Sequence, residues 1–134
     1  MKKFFVALMA VLVLASCGES KKETTPADVI MMTVEAMNNA TANLEKATTV
    51  DEVIDATACL YSEMKKLQTN YGEVMLAVDT LSEEQMNELY SAEMKAMEEA
   101  AINYSTAMMG KSDLMENMTP EQEAKLMEIF ETAL

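Results

Sequence analysis

Histidine, arginine and tryptophan are absent from the 134-residue chain, and glycine, proline and cysteine are scarce, with three, two and two residues. Without histidine, the chain cannot build the Ser-His or Cys-His pairs of nucleophilic catalysis or an imidazole metal site. Without arginine, it lacks the bidentate clamp for phosphate and carboxylate groups. No glycine-rich phosphate loop or EF-hand pattern occurs. These absences predict a protein that is not an enzyme and that has no cofactor.

The low proline and glycine content favours long, uninterrupted helices. Pro26 and Pro120 each stand at a predicted helix start, where the missing N–H removes no hydrogen bond. No segment alternates apolar and polar residues with the period of two that is typical of strands. The chain is therefore predicted to be all-α: a small antiparallel bundle of three long helices, with a short C-terminal helix closing one end.

Four segments combine a helix start signal with apolar residues at spacings of three and four. The starts are Thr25-Pro26, Thr49 with Glu52, Ser82 with Gln85, and Thr119-Pro120. The first helix is predicted over residues 26–46, and Gly110 suits the C-terminal cap of the third. The buried face of the fourth is expected to consist of Leu126, Ile129, Phe130 and Ala133.

The second helix has the most regular pattern, a heptad seam of nine residues: Val50, Val53, Thr57, Leu60, Met64, Leu67, Tyr71, Val74 and Val78. Leu60 and Leu67 are expected at the centre of the core. Such a seam also allows self-association into a homo-oligomer through an open helical hairpin. Cys59 lies within this helix and is interpreted as a small packing residue rather than a reactive thiol.

The N-terminus combines a positive start, Met1-Lys2-Lys3, with an apolar run from Phe4 to Leu14 that is too short for a comfortable membrane span. Leu14-Ala15-Ser16-Cys17 follows and resembles the lipobox of bacterial lipoproteins. The resemblance implies that residues 1–16 are a cleaved signal peptide and that Cys17 is lipidated. Residues 17–25 would then be the lipidated cysteine and a polar tether, and residues 26–134 a helical domain. The expected location is the cell envelope, with the outer membrane as the expected membrane.

The charge of the predicted mature chain is strongly negative. All 23 acidic residues follow Cys17, and loss of Lys2 and Lys3 leaves eight lysines, which gives a net charge of −15. Such a surface repels nucleic acid and anionic lipid head groups. We therefore expect a lipid anchor in a bacterial membrane and a protein or peptide partner of the envelope, but no nucleic-acid partner.

Methionine is unusually frequent, with 15 residues. Thioethers bind Cu(I), and pairs spaced by three, such as Met94 with Met97 and Met115 with Met118, could offer two soft ligands from one helix face. Methionine also fills irregular cores and forms adaptable hydrophobic grooves. Met94 and Met97 fall on the apolar stripe of the third helix, so core packing is the favoured interpretation, with a binding groove or a copper site as alternatives.

Two short segments, Leu81-Ser82-Glu83-Glu84-Gln85 and Met118-Thr119-Pro120-Glu121-Gln122, resemble the LTxxQ motif of small periplasmic stress proteins of the Spy and CpxP kind. That resemblance implies an ATP-independent chaperone or adaptor in the envelope. Ser82 and Met118 depart from the motif, and this chain is acidic and anchored where those proteins tend to present basic concave surfaces. A capping box alone produces the same letters.

Asp79-Thr80-Leu81 resembles the three-residue O-glycosylation signal that some diderm bacteria use on exported proteins. The resemblance implies a glycan on Thr80. The alternative is an ordinary junction between a helix and the loop that ends at Ser82.

Overall fold

The computed structural model of the protein describes residues 23–133, which form five helices and no strand. The helices are α1 (Pro26–Lys46), α2 (Val50–Asp79), α3 (Glu83–Met109), α4 (Ser112–Met115) and α5 (Pro120–Ala133). This confirms the all-α prediction of three long helices and a short C-terminal one. The single turn α4 has no counterpart in the predicted elements. The predicted signal peptide, Cys17 and the tether as far as residue 22 lie outside the described residues.

Reciprocal hydrogen bonds between a cap residue and the third helical residue fix the starts of the helices. At α1, the Thr25 hydroxyl accepts from the Asp28 N–H at 3.2 Å, and the Asp28 carboxylate accepts from the Thr25 N–H at 3.0 Å. The same capping box begins the other two long helices, at Thr49 and Ser82. Each satisfies two backbone groups that would otherwise lack a partner.

The C-terminal cap of α3 is Gly110, as predicted, but Gly110 does not adopt the left-handed conformation for which glycine is usually selected at this position. Its φ angle is −63°, which is ordinary right-handed helical backbone and not the left-handed conformation that favours glycine. Its N–H bonds to the carbonyl of Thr106 at 3.0 Å.

The three long helices run up, down and up, with α1 in close backbone contact with both of the others. Lys111, just beyond α3, donates to the carbonyl oxygens of Ala47 at 2.7 Å and Glu45 at 3.4 Å, so α1 and α3 end at the same end of the bundle. The C-terminal part of α2 lies beside the start of α1, because Met75 and Val78 belong to the same hydrophobic cluster as Val29 and Ile30.

The core lies between these three helices, and every fully buried residue of the described chain falls between Val29 and Ala100. Leu60 and Leu67 are 5% and 7% exposed, as the seam predicts. Three threonines are also buried, and each hydroxyl donates to the carbonyl four residues earlier: Thr33 to Val29, Thr41 to Met37, and Thr57 to Val53. Those bonds make the polar groups compatible with an apolar core.

Helices α2 and α3, which form a helical hairpin, each bend at a tyrosine. Tyr71 in α2 has φ −139° and ψ 15°, and Tyr90 in α3 has φ −131° and ψ 31°. The two positions lie nearly equally far from the connecting loop, so residues 72–89 form a bent unit that we call the hairpin tip. Its buried side chains belong to the same hydrophobic cluster as Val29 and Ile30 of α1: Met75, Val78 and Met86.

Two predictions about packing are wrong. Cys59 is exposed, because it lies one residue before Leu60 and therefore about 100° away from the seam around the helix. The C-terminal helix does not close one end of the bundle. Instead α5 lies along α2 and runs parallel to it, since Phe130 contacts Tyr61 and Lys65 reaches the carbonyl of Thr132.

Candidate binding surfaces

The first candidate surface is the face of α2 that contacts α5. The rings of Tyr61 and Phe130 meet edge to face, with centroids 5.5 Å apart and planes at 80°. The Gln122 side-chain amide donates to Asp51 at 3.1 Å, and the Lys65 ammonium donates to the Thr132 carbonyl at 3.2 Å. The three contacts form a line along α2.

The residues of α2 on this line are spaced by three and four: Asp51, Ile54, Ala58, Tyr61 and Lys65. We call this set the α5 seat. Ile54 is only 4% exposed, yet it belongs to neither of the two core clusters, which indicates that α5 covers it. The sequence contains the signal for this second stripe, because Ile54, Ala58 and Tyr61 repeat at helical spacing. The more regular heptad seam beside it obscured that signal.

The tyrosines near the seat are partly withdrawn from water. Burial raises the pKa of the Tyr61 phenol. Burial also raises the pKa of Tyr104 in α3, and the neighbouring Thr57 of α2 offsets part of that rise. Both phenols therefore stay neutral well above neutral pH, and neither tyrosine places a charge near the α5 seat.

A second surface is an open groove between α1 and α2 with a volume of about 400 Å³. Ala36 and Ala40 form its small-residue floor on α1, and Leu60 lines the side formed by α2. Exposed Cys59 and the ion pair of Glu63 with Lys66, at 2.6 Å, lie on α2 along or beside the groove. The groove combines an apolar floor with a polar rim.

The structure separates the methionine candidates by burial. Met97 is 0% exposed and belongs to the main core cluster, against which the half-buried Met94 packs. Met115 packs against the smaller cluster around Leu44, and Met118 is half-buried just before α5. Each pair therefore has at least one methionine side chain that packs against an apolar cluster.

Thr80, the candidate glycosylation residue, is exposed at the C-terminal end of α2, where its hydroxyl donates to the Ala77 carbonyl at 3.0 Å. The two LTxxQ-like segments both form helix starts. Ser82 and Gln85 exchange hydrogen bonds of 2.9 and 3.2 Å, and Thr119 and Gln122 do the same. Capping therefore gives a structural role to the hydroxyl residue and the glutamine of each segment.

Within residues 23–133, no group of three or more histidine, cysteine, aspartate or glutamate side chains is arranged to hold a metal ion. In the same part of the chain, no helix has both the length and the apolar character that a membrane span needs. Comparisons of the chain with protein-family models, with curated proteins and with solved structures find no match.

Proposed function

We propose that this protein is a lipid-anchored, non-enzymatic helical module of the bacterial cell envelope that acts by binding a protein or peptide partner or by its structural presence. The observation that carries the anchor is the sequence Leu14-Ala15-Ser16-Cys17 directly after a short apolar run. Residues 18–25 then separate Cys17 from the first residue of α1. Acyl chains on one cysteine would hold the whole bundle at a membrane, because each buried methylene contributes about 0.8 kcal/mol.

Binding is favoured over catalysis by what the bundle presents. The groove between α1 and α2 and the α5 seat are both apolar strips bordered by polar side chains, the type of surface that accepts an amphipathic helix. The predicted charge of −15 restricts the partners, since it disfavours nucleic acid and anionic lipid.

The anchor is tested with the two cysteines as a matched pair. Cys17→Ser should abolish incorporation of a labelled fatty acid and accumulate precursor that retains residues 1–16. Cys59→Ser changes the other thiol, which is exposed on the folded domain, and should leave labelling and processing unchanged. Normal fatty-acid labelling of the Cys17→Ser protein would refute the anchor.

The partner is tested by photo-crosslinking in whole cells. A photoreactive residue is placed in turn at exposed positions that line the groove, namely Glu35, Asn39 and Asn43. It is also placed at exposed positions on α3, namely Ile102 and Met109. A binding module should give the same adduct from neighbouring positions and none from positions on other faces. Adducts distributed without regard to position would contradict a defined binding surface.

A further inference from the structure

Helix α5 is held on the bundle by an incomplete interface. None of its residues is fully buried, and its contact face is only half-buried: Gln122, Leu126, Ile129, Phe130 and Ala133. Met127 is 57% exposed. The two polar contacts, Gln122 to Asp51 and Lys65 to Thr132, lie at exposed positions where water competes for the same groups. A helix of 14 residues with these contacts belongs to the less stable part of the molecule.

The core does not need α5. The buried residues all lie in α1, α2, α3 and the α1–α2 junction, and among the buried apolar residues only Ile54 belongs to neither core cluster. Undocking of α5 would therefore leave the three-helix core intact and expose the α5 seat. The exposed strip would present Ile54, Ala58 and Tyr61, with Asp51 at one end and Lys65 at the other.

We propose that the α5 seat is a docking site for an amphipathic helix of a partner protein, and that α5 is a displaceable helix that covers this site in the free protein. The chemistry of the partner is given by what α5 places there. An aromatic residue packs edge to face on Tyr61, a hydrogen-bond donor reaches Asp51, and a carbonyl or carboxylate reaches Lys65. This proposal rests on the proposed function as a binding module and names the site and the class of partner.

Tethering explains why α5 occupies the seat in the free protein. Residues 116–119 connect α4 to α5, and a short connection gives the tethered helix an effective concentration on the order of millimolar at the seat. A partner helix must compete with α5 for the seat. Its apparent affinity therefore equals its intrinsic affinity multiplied by the fraction of molecules in which the seat is open. Weakening α5 should therefore strengthen binding of a helix added in trans.

The test uses the full chain and a fluorescent peptide of residues 119–134. Phe130→Ala removes the ring that packs on Tyr61, so it should open the seat and raise the affinity for the peptide at least tenfold over the wild-type chain. Met127→Ala is the matched control, because Met127 points away from the seat and is exposed. A peptide carrying its own Phe130→Ala change should not bind. Equal affinity of the Phe130→Ala and wild-type chains for the peptide would overturn the proposal.

Hydrogen exchange gives a second, independent readout. In the wild-type chain, amides of α5 should exchange at least tenfold faster than those around Leu60 and Met64 in the core of α2, and Phe130→Ala should accelerate α5 further while leaving α2 protected. Loss of α2 protection in the variant, or equal protection of α5 and the core in the wild-type chain, would show that α5 is an integral part of the fold. Fatty-acid labelling of Cys17 is separate from both readouts, so a failed seat and a failed anchor are distinguishable.

Discussion

Leu60 and Leu67 lie one heptad apart on α2 and are 5% and 7% exposed, within one cluster that also contains Met37 and Met97. We expect Leu60→Ala or Leu67→Ala to lower the free energy of unfolding by about 2 to 5 kcal/mol, because each change removes packed methyl groups and leaves a cavity. Chemical denaturation followed by circular dichroism measures the effect.

The matched control is Gln68→Ala, since Gln68 is exposed next to Leu67 on the same helix. That change should alter the free energy of unfolding by less than about 0.5 kcal/mol. Leucine variants as stable as the Gln68→Ala control would mean that the seam is not the core of the bundle.

Glu52 accepts three hydrogen bonds at the start of α2, from the N–H of Thr48 at 2.7 Å, the N–H of Thr49 at 3.1 Å and the Thr48 hydroxyl at 3.2 Å. The backbone bond from Thr48 is the largest cause of the lowered pKa of this carboxyl group. A carboxyl whose pKa is lower in the folded state stabilises the fold above its unfolded pKa, and that contribution is lost as the pH falls through the folded pKa.

We therefore expect Glu52→Ala to be less stable than the wild-type chain at neutral pH, with a difference that shrinks as the pH falls below the ordinary glutamate pKa of about 4.3. Denaturation series at several pH values measure this difference. Glu35→Ala on α1 is the control, because Glu35 is exposed and caps no helix. A Glu52→Ala deficit that is constant between pH 7 and pH 3 would contradict the role of the ionised carboxylate.

The residues that sequence analysis placed correctly are those whose position depends on a single helix. Leu60 follows from the heptad spacing alone. The spacing also places Cys59 outside the seam, which contradicts its interpretation as a packing residue. The burial of Ile54 did not follow from the seam, because it depends on α5, which lies beside the helix. Spacing on one helix shows which residues share a face, but it does not show whether a second face is covered.

At the scale of helices, the starts were predictable. Of the two bends, only the one in α2 had a signal in the sequence, because Gly72 interrupts the heptad seam one residue after Tyr71. The capping boxes at Thr49 and Ser82 involve residues only three apart, so the sequence contains all the information that they require. The bends at Tyr71 and Tyr90 arise in a hairpin longer than α1, which has 21 residues against 30 in α2. The C-terminal part of α2, by which it is longer than α1, packs against the start of α1. No short-range sequence pattern encodes that contact between two helices. The location of α5 is unpredictable for the same reason.

Gly72 follows the bend at Tyr71, and a Cβ atom added there would meet nothing within 4 Å. We expect Gly72→Ala to raise the free energy of unfolding by about 0.4 to 1 kcal/mol, because alanine restricts the unfolded chain and favours helix without a clash. Thermal and chemical denaturation measure this gain. Gly110→Ala is the comparison, since its added Cβ would lie 3.3 Å from the Ala107 carbonyl oxygen and should bring a smaller gain or a loss. A destabilised Gly72→Ala chain would show that the bend needs glycine.

At the scale of the whole molecule, the two ends of the bundle differ in their distance from the predicted anchor. The start of α1 and the hairpin tip lie at the same end. Between Lys66 and Lys95 the chain has no lysine and six acidic residues: Glu73, Asp79, Glu83, Glu84, Glu88 and Glu93. The end nearest the predicted anchor is therefore strongly acidic, and anionic lipid should repel it. The tether would hold near the membrane an end that does not bind the lipid surface itself.

The anchor and the fold together predict which end faces the membrane. Residues 18–25 reach at most about 29 Å, and α1 separates the two ends of the bundle by about 32 Å.

A fluorophore on Asn87→Cys in the hairpin tip should therefore be quenched more by nitroxide head groups than one on Ser112→Cys at the other end. Both variants also carry Cys59→Ser, and the lipidated proteins are measured in neutral vesicles. Control versions that begin at Gly18 lack both the lipid and residues 1–16, and they keep the Cys59→Ser change. They should show no quenching at either position. Equal or stronger quenching at residue 112 would mean that the bundle lies flat or inverted on the bilayer, and the orientation inferred from the shared end of α1 and the hairpin tip would be wrong.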